Sequence, residues 1–167
     1  MKVEFTDNSP AVLDEFQAAI LRALERCGLQ AETFAKQSRT EEGDVDTGNL
    51  RNSIAHAVNA DEKKAIVGTN SEYGAYVHQG TGKYYPGGRA GWWVYVKDNA
   101  NSGSHAPREG AGKTYTFEEA KQIMAILRSK GLDAHMTEGR EADPFLRNAV
   151  SDHADVWRAI VKDEMKG

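Results

Sequence analysis

Cysteine is nearly absent from this sequence, proline is sparse, and neither positive charge nor any long apolar run is in excess. The single Cys27 cannot close an internal disulfide, and thiolate metal sites need several cysteines at set spacings, so a disulfide scaffold and a zinc ribbon are both excluded. No stretch approaches the roughly 20 apolar residues of a bilayer span, so no membrane partner is expected. The opening MKVEFTDNSP carries acids where a secretory signal has a continuous apolar core, which leads us to expect a soluble product folding in a reducing cytosol. Lys and Arg number 21 against 25 Asp and Glu, a net charge of -4. That balance lacks the basic surplus of a protein that coats duplex DNA.

What is present suits one globular domain. The 167 residues are 40% hydrophobic and 28% charged. A chain of this length buries roughly 70% of its unfolded surface without staples.

A short strand is expected over Lys2 to Thr6, and Ser9 with Pro10 then supplies a cap and a first turn. Val12, Leu13, Phe16, Ala19, Ile20, Ala23, Leu24 and Cys27 recur at spacings of three and four, so a long helix with one apolar stripe follows, running to about Arg39 past a kink at Gly28. Cys27 falls on that stripe and reads as a packed thiol. The polar segment Thr40 to Asp46 reads as a loop, and a short helical turn over Gly48 to Ser53 comes next. Ile54 to Ala60 and Ala65 to Thr69 alternate by twos about a polar turn, which predicts an antiparallel hairpin. Trp92 to Val96 is a further strand, Thr116 with Glu119 forms the capping box of a second long helix, and Leu132 to Thr137 is a strand after it. Pro144 opens a final helix running through Val161. The fold class is therefore α+β: an antiparallel sheet packed against a long N-terminal helix and a C-terminal helix, with a helix-strand unit inserted in the middle. We expect a single domain over 1–167, with a core of about 1–81 and 132–167 and an inserted lobe or loop over about 82–131.

Most catalytic and cofactor patterns fail when tested. Gly110 to Thr114 (GAGKT) resembles the end of a phosphate-binding loop, but the required earlier glycine is Pro107 and no buried strand leads in. Gly80 to Lys83 and Gly87 to Gly91 lack the strand, turn and helix order of a dinucleotide fingerprint. His56, His78, His105, His135 and His153 include no pair at the spacing that places two ligands on one helical face, and His56 and His78 read as structural. No serine sits in a strained Gly-x-Ser-x-Gly elbow. No catalytic residue, cofactor or metal is expected. Trp92, Trp93, Tyr84, Tyr85 and Tyr95 lie near Lys83, Arg89 and Lys97, a pattern that suits stacking on single-stranded bases and equally suits a sheet face or subunit contact.

Four blocks carry a resemblance. In order they are Thr47-Gly48-Asn49-Leu50-Arg51-Asn52-Ser53-Ile54, Val67-Gly68-Thr69-Asn70, Tyr73-Gly74-Ala75-Tyr76-Val77-His78-Gln79-Gly80-Thr81, and Pro144-Phe145-Leu146-Arg147-Asn148-Ala149. Together they resemble the tail-component family of long-tailed phages and prophages, whose members are neck or tail-completion proteins. The family often has an acid where Gln79 stands and a second proline where Asn148 stands. The resemblance implies a non-enzymatic virion protein at the head-tail junction, assembled in the bacterial host cytoplasm. It also implies a homo-oligomeric ring, with six the expected count, that meets other neck and tail proteins while DNA passes through without specific binding. A tail terminator or head-closing stopper is the neighbouring alternative, and a phage nucleic-acid-binding module is the alternative of another class.

Each block has a physical reading as well. Thr47 and Gly48 form a cap and turn that let Leu50 and Ile54 dock on the first helix. Gly68 allows close backbone approach where its strand ends at Thr69. Tyr73 and Tyr76 anchor the segment returning to the sheet, Gly80 and Thr81 release the chain into a loop, and Pro144 with Phe145 starts the last helix around a core or interface wedge. With Arg89, Trp92 and Trp93, these are the candidate interface residues. Charge is unevenly spread: residues 1–82 carry -5, residues 83–147 carry +2 and residues 148–167 carry -1. The mildly basic middle is where partner contacts are expected.

Overall fold

The computed structural model describes residues 7–41, 48–96 and 113–166. The expected strand at Lys2 to Thr6, most of the acidic loop before Thr47, and the segment from Lys97 through Gly112 lie outside the described residues. In chain order the elements are α1 (Ser9–Glu41), α2 (Asn49–Ser53), β1 (Ile54–Asn59), β2 (Lys64–Thr69), α3 (Glu72–Gln79), a 3-10 turn (Gly82–Tyr84), β3 (Trp93–Val96), α4 (Phe117–Ser129), β4 (Ala134–Thr137), α5 (Phe145–Ser151) and α6 (Ala154–Glu164). The class is α+β, with long helices and antiparallel pairing only. The pairing is divided between two separate two-stranded sheets, β1-β2 and β3-β4. Among the described residues no helix is long and apolar enough to cross a membrane.

The described residues form two compact units, one made of 7–41, 51–70 and 145–166 and the other of 48–50, 71–96 and 113–144. The second unit thus takes in α3 and β4 together with the described part of 82–131.

The first unit is built on α1, which spans about 50 Å at the usual rise per residue. Its cap differs from expectation: Ser9 is already helical, and the Asp7 carboxylate accepts the Ser9 N–H at 2.9 Å. Ala19, Ala23, Ala31 and Ala35 are buried along one stripe, and side chains this small let neighbouring elements approach the helix backbone closely. The β1-β2 hairpin lies on α1 with Ile54 opposite Thr69 and His56 opposite Val67. Its turn is set by Asn59, whose side-chain oxygen accepts the N–H groups of Asp61 and Glu62 at 3.0 and 3.1 Å. α1 continues unbroken through Gly28, whose missing side chain makes room for the His56 ring.

Two expectations fail in this unit. Along the apolar stripe of α1, Ala19 and Ala23 are buried and Ile20, Leu24 and Cys27 half-buried, but Val12, Leu13 and Phe16 remain 64%, 59% and 53% exposed. The final helix is also broken, at Asp152 and His153, into α5 and α6. The break lets the His153 ring stack on Phe34 at 3.6 Å, and it leaves the Val150 carbonyl to accept the Trp157 indole N–H at 2.7 Å. A continuous helix would spend that carbonyl on its own ladder. Running back along α1 from that stack, α6 ends where Arg22 reaches Glu164 at 3.1 Å and Arg26 reaches Glu164 and Asp163 at 2.6 and 2.7 Å. These arginines, Arg26 foremost, hold both carboxyls below their ordinary range.

In the second unit β3 pairs with β4, Trp93 opposite Thr137 and Tyr95 opposite His135. Val94, Ala120 and Ala134 are its buried contacts around α4. The expected capping box is present: Thr116 Oγ1 accepts the Glu119 N–H, and the Glu119 carboxylate accepts the Thr116 N–H at 2.9 Å.

Candidate functional site

Within the first unit the blocks supply framework. Ile54 and Phe145 are fully buried, and the Arg39 guanidinium lies over the Phe145 ring at 4.7 Å, itself buried. Phe145 is therefore a core residue. Ser53 and Thr69 join the ends of β1 and β2 through their hydroxyls at 2.5 Å. Among the described residues nothing lies within 4 Å of where a Cβ at Gly68 would sit, so no close approach calls for glycine there. Thr47 lies outside the described residues, and its neighbour Gly48 has a φ of 71°.

Within the second unit the third block forms a clasp. Gly80 ends α3 at a φ of 78°, and a Cβ there would sit 2.8 Å from the backbone nitrogen of Ala142. That close approach lets Thr81 donate its N–H to the Arg140 carbonyl at 2.9 Å, while Thr81 Oγ1 accepts the Arg140 N–H at 3.0 Å. The Asp143 N–H reaches the Val77 carbonyl at 3.0 Å, and Lys83 pairs with Glu138. Gly80 and Thr81 thus hold the 138–143 segment where the chain leaves α3 for the loop that leads to β3. The buried face of α3 is Gly74 and Val77; Tyr76 stands 61% exposed, and Tyr73, 51% exposed, accepts the Arg140 guanidinium N–H at its hydroxyl at 3.5 Å. Pro144 precedes α5 without joining it, and Leu50 is half-buried.

The candidate aromatics separate. Trp92 exchanges both backbone hydrogen bonds with Tyr115, at 2.8 and 2.9 Å, and meets Phe117 edge-on at 5.2 Å. Trp93 is a β3 residue lying close against Gly82. Arg89 sits exposed in the loop before them. Tyr95 stacks on His135, whose ring nitrogen is held by Asp133 at 2.8 Å.

The densest polar cluster was not legible as a site. The largely buried His56 ring bridges two carboxylates of α1, with Nδ1 on Glu32 at 2.6 Å and Nε2 on Glu25 at 3.2 Å. The His56 N–H also donates to Glu32 at 3.1 Å, and Lys36 reaches the other Glu32 oxygen at 2.5 Å. The Lys36 and His56 bonds hold the Glu32 carboxyl down at about 2, and Glu32, against the opposing effect of burial, raises His56 above its ordinary value. Its signal in the sequence was Gly28, midway between Glu25 and Glu32 on the same helical face. The cluster ties hairpin to helix.

Burial pushes the Cys27 thiol up, with Arg26 opposing it. Among the described residues no three His, Cys, Asp or Glu side chains are grouped to hold a metal. Comparison of the chain with protein-family models, with curated proteins and with solved structures finds no match.

Proposed function

We propose that this chain is a non-enzymatic virion assembly protein of a phage or prophage, acting at the head-tail junction as a tail-completion or neck protein. The reading rests on the order of the four sequence blocks. It is supported by one observation above others: apolar side chains of α1 and α3, among them the block residues Tyr73 and Tyr76, stand exposed. Aromatic and aliphatic side chains carried on helices suit contact with other subunits. In this account the protein forms a homo-oligomeric ring of six subunits, meets neighbouring neck and tail proteins, and lets DNA pass. A mildly acidic chain suits passage rather than capture.

The test is deletion from the encoding phage, followed by electron microscopy of the lysate. Separate full heads and finished tails, restored to joined particles by the gene in trans, are the expected result. Normal infectious virions after deletion would end the proposal. Tails of uncontrolled length would instead favour a terminator, and heads leaking DNA a stopper.

A further inference from the structure

The β1-β2 hairpin stands as a two-stranded sheet, and its two edges differ. One hydrogen bond fixes which groups face outward. The His56 N–H donates to Glu32 at 3.1 Å and so points away from β2. In an antiparallel ladder the opposite residue, Val67, then turns its own N–H and C=O away from β1, and alternation gives Ala65 the same direction. On the β1 side the outward N–H of His56 is thus taken up by α1. On the β2 side, among the described residues, neither Ala65 nor Val67 has a hydrogen-bond partner across its edge. Edge strands are ordinarily guarded by charge, proline or a bulge, but Ala65 to Thr69 holds no charge and no proline and keeps an unbroken register. The other strands offer no such edge. The Ala134 N–H and C=O of β4 are held by the Leu132 carbonyl and by Arg128, and β3 gives its outward side to Tyr115 at Trp92.

We infer that β2 pairs antiparallel with β2 of a second copy about a twofold axis at Ile66, joining two hairpins into one continuous sheet. The edge is self-complementary in this register. Ala65 of each copy exchanges backbone hydrogen bonds with Val67 of the other, so the groups left free within the chain are the groups that pair. Ile66, 55% exposed on the face turned from α1, meets Ile66 of the second copy in the close, non-hydrogen-bonded position, where aliphatic cross-strand pairs are favourable. Lys64 falls opposite Gly68 of the second copy, where nothing lies within 4 Å of a would-be Cβ and its stem has room. The two Lys64 charges stand at opposite ends of the pair, so like charges do not face. The contact is isologous and closes at two copies, whereas a ring closes through heterologous contacts, so the pair goes beyond the ring proposed above and does not rest on it. Pairing along one strand edge falls below the about 1,200 Å² of a stable interface, so the pair depends on protein concentration.

The experiment is disulfide trapping in the full chain carrying Cys27→Ser, with one new thiol introduced at a time. Ile66→Cys should be captured as a covalent dimer under mild oxidation, in a yield that rises with protein concentration, because directly opposite positions bring their Cβ atoms within disulfide reach. Ala57→Cys, on the same face but one strand further from the axis, should stay monomeric. Sedimentation velocity gives the non-covalent reading: the wild type gains a dimer as concentration rises, and Ile66→Lys, with unchanged circular dichroism, loses it. Equal trapping at 57 and 66, or a dimer that persists in Ile66→Lys, would overturn the β2 pair and leave the ring standing. Rings that form while position 66 stays untrapped would do the same. A wild type monomeric at every concentration would overturn both.

Discussion

Replacing Gly28 by alanine sets two effects of known size against each other. In an ordinary helix interior the change stabilises by about 1 kcal/mol, since alanine loses less backbone freedom on folding. At this position the new Cβ would sit 2.6 Å from Cδ2 of His56 and 3.1 Å from its Cγ. Those atoms lie near the base of the side chain, so a small rotation does not clear them. The ring is further pinned by Glu32 at 2.6 Å and Glu25 at 3.2 Å. Overpacking of this kind costs about 1–3 kcal/mol, and weakening a charge-assisted hydrogen bond adds to it. Gly28→Ala should therefore destabilise by about 1–2 kcal/mol net. Urea denaturation followed by helical circular dichroism reads this directly, and the decisive comparison is the same change in a His56→Ala background. With the ring gone, the introduced alanine should recover its helical advantage of about 1 kcal/mol. Stabilisation by Gly28→Ala in the wild-type background would refute the close packing of β1 on α1.

The His56 cluster also fixes a pH window. His56 is raised, so its contribution is complete below the ordinary value of 6.5 and is lost as pH rises through the folded value. Glu32 is lowered from 4.5 to about 2, so its contribution is complete above 4.5 and is lost as pH falls through about 2. The stability difference between wild type and His56→Gln should be largest between 4.5 and 6.5; thermal melts across pH check this, and a flat difference contradicts it. Phe145→Ala empties a fully buried site beneath Arg39 and should cost about 3–5 kcal/mol in urea titrations, whereas Tyr76→Ala, at the surface of α3, should stay within about 0.5 kcal/mol. Gly80→Ala places a Cβ against the Ala142 backbone at a positive φ, so limited proteolysis should cut the 138–143 segment faster than in wild type.

Local pattern carried much of the fold. Period-two alternation marked both strands of the β1-β2 hairpin, and Thr116 with Glu119 marked the start of α4, because both signals arise from neighbours in sequence. The break between α5 and α6 was hidden because its causes include the stacking of His153 on Phe34, a residue far away in the chain. The stripe at Val12, Leu13 and Phe16 showed which face of α1 is apolar, but periodicity cannot say whether anything in the same chain covers that face. Gly28 looked like a defect for a related reason: the ring that needs its space belongs to β1. Tyr73 and Tyr76 were expected to anchor the segment returning to the sheet, whereas the buried face of α3 is the small Gly74 and the aliphatic Val77. The clasp between Thr81 and Arg140 depends on two segments meeting across the whole of β3 and α4, and no local motif announces such a pairing.

The central claim, assembly into a closed ring, is tested most directly by electron microscopy of the purified chain at high protein concentration. Closed rings of uniform diameter with sixfold symmetry are the predicted result. Monomers alone at every concentration, or open filaments that never close, would contradict it.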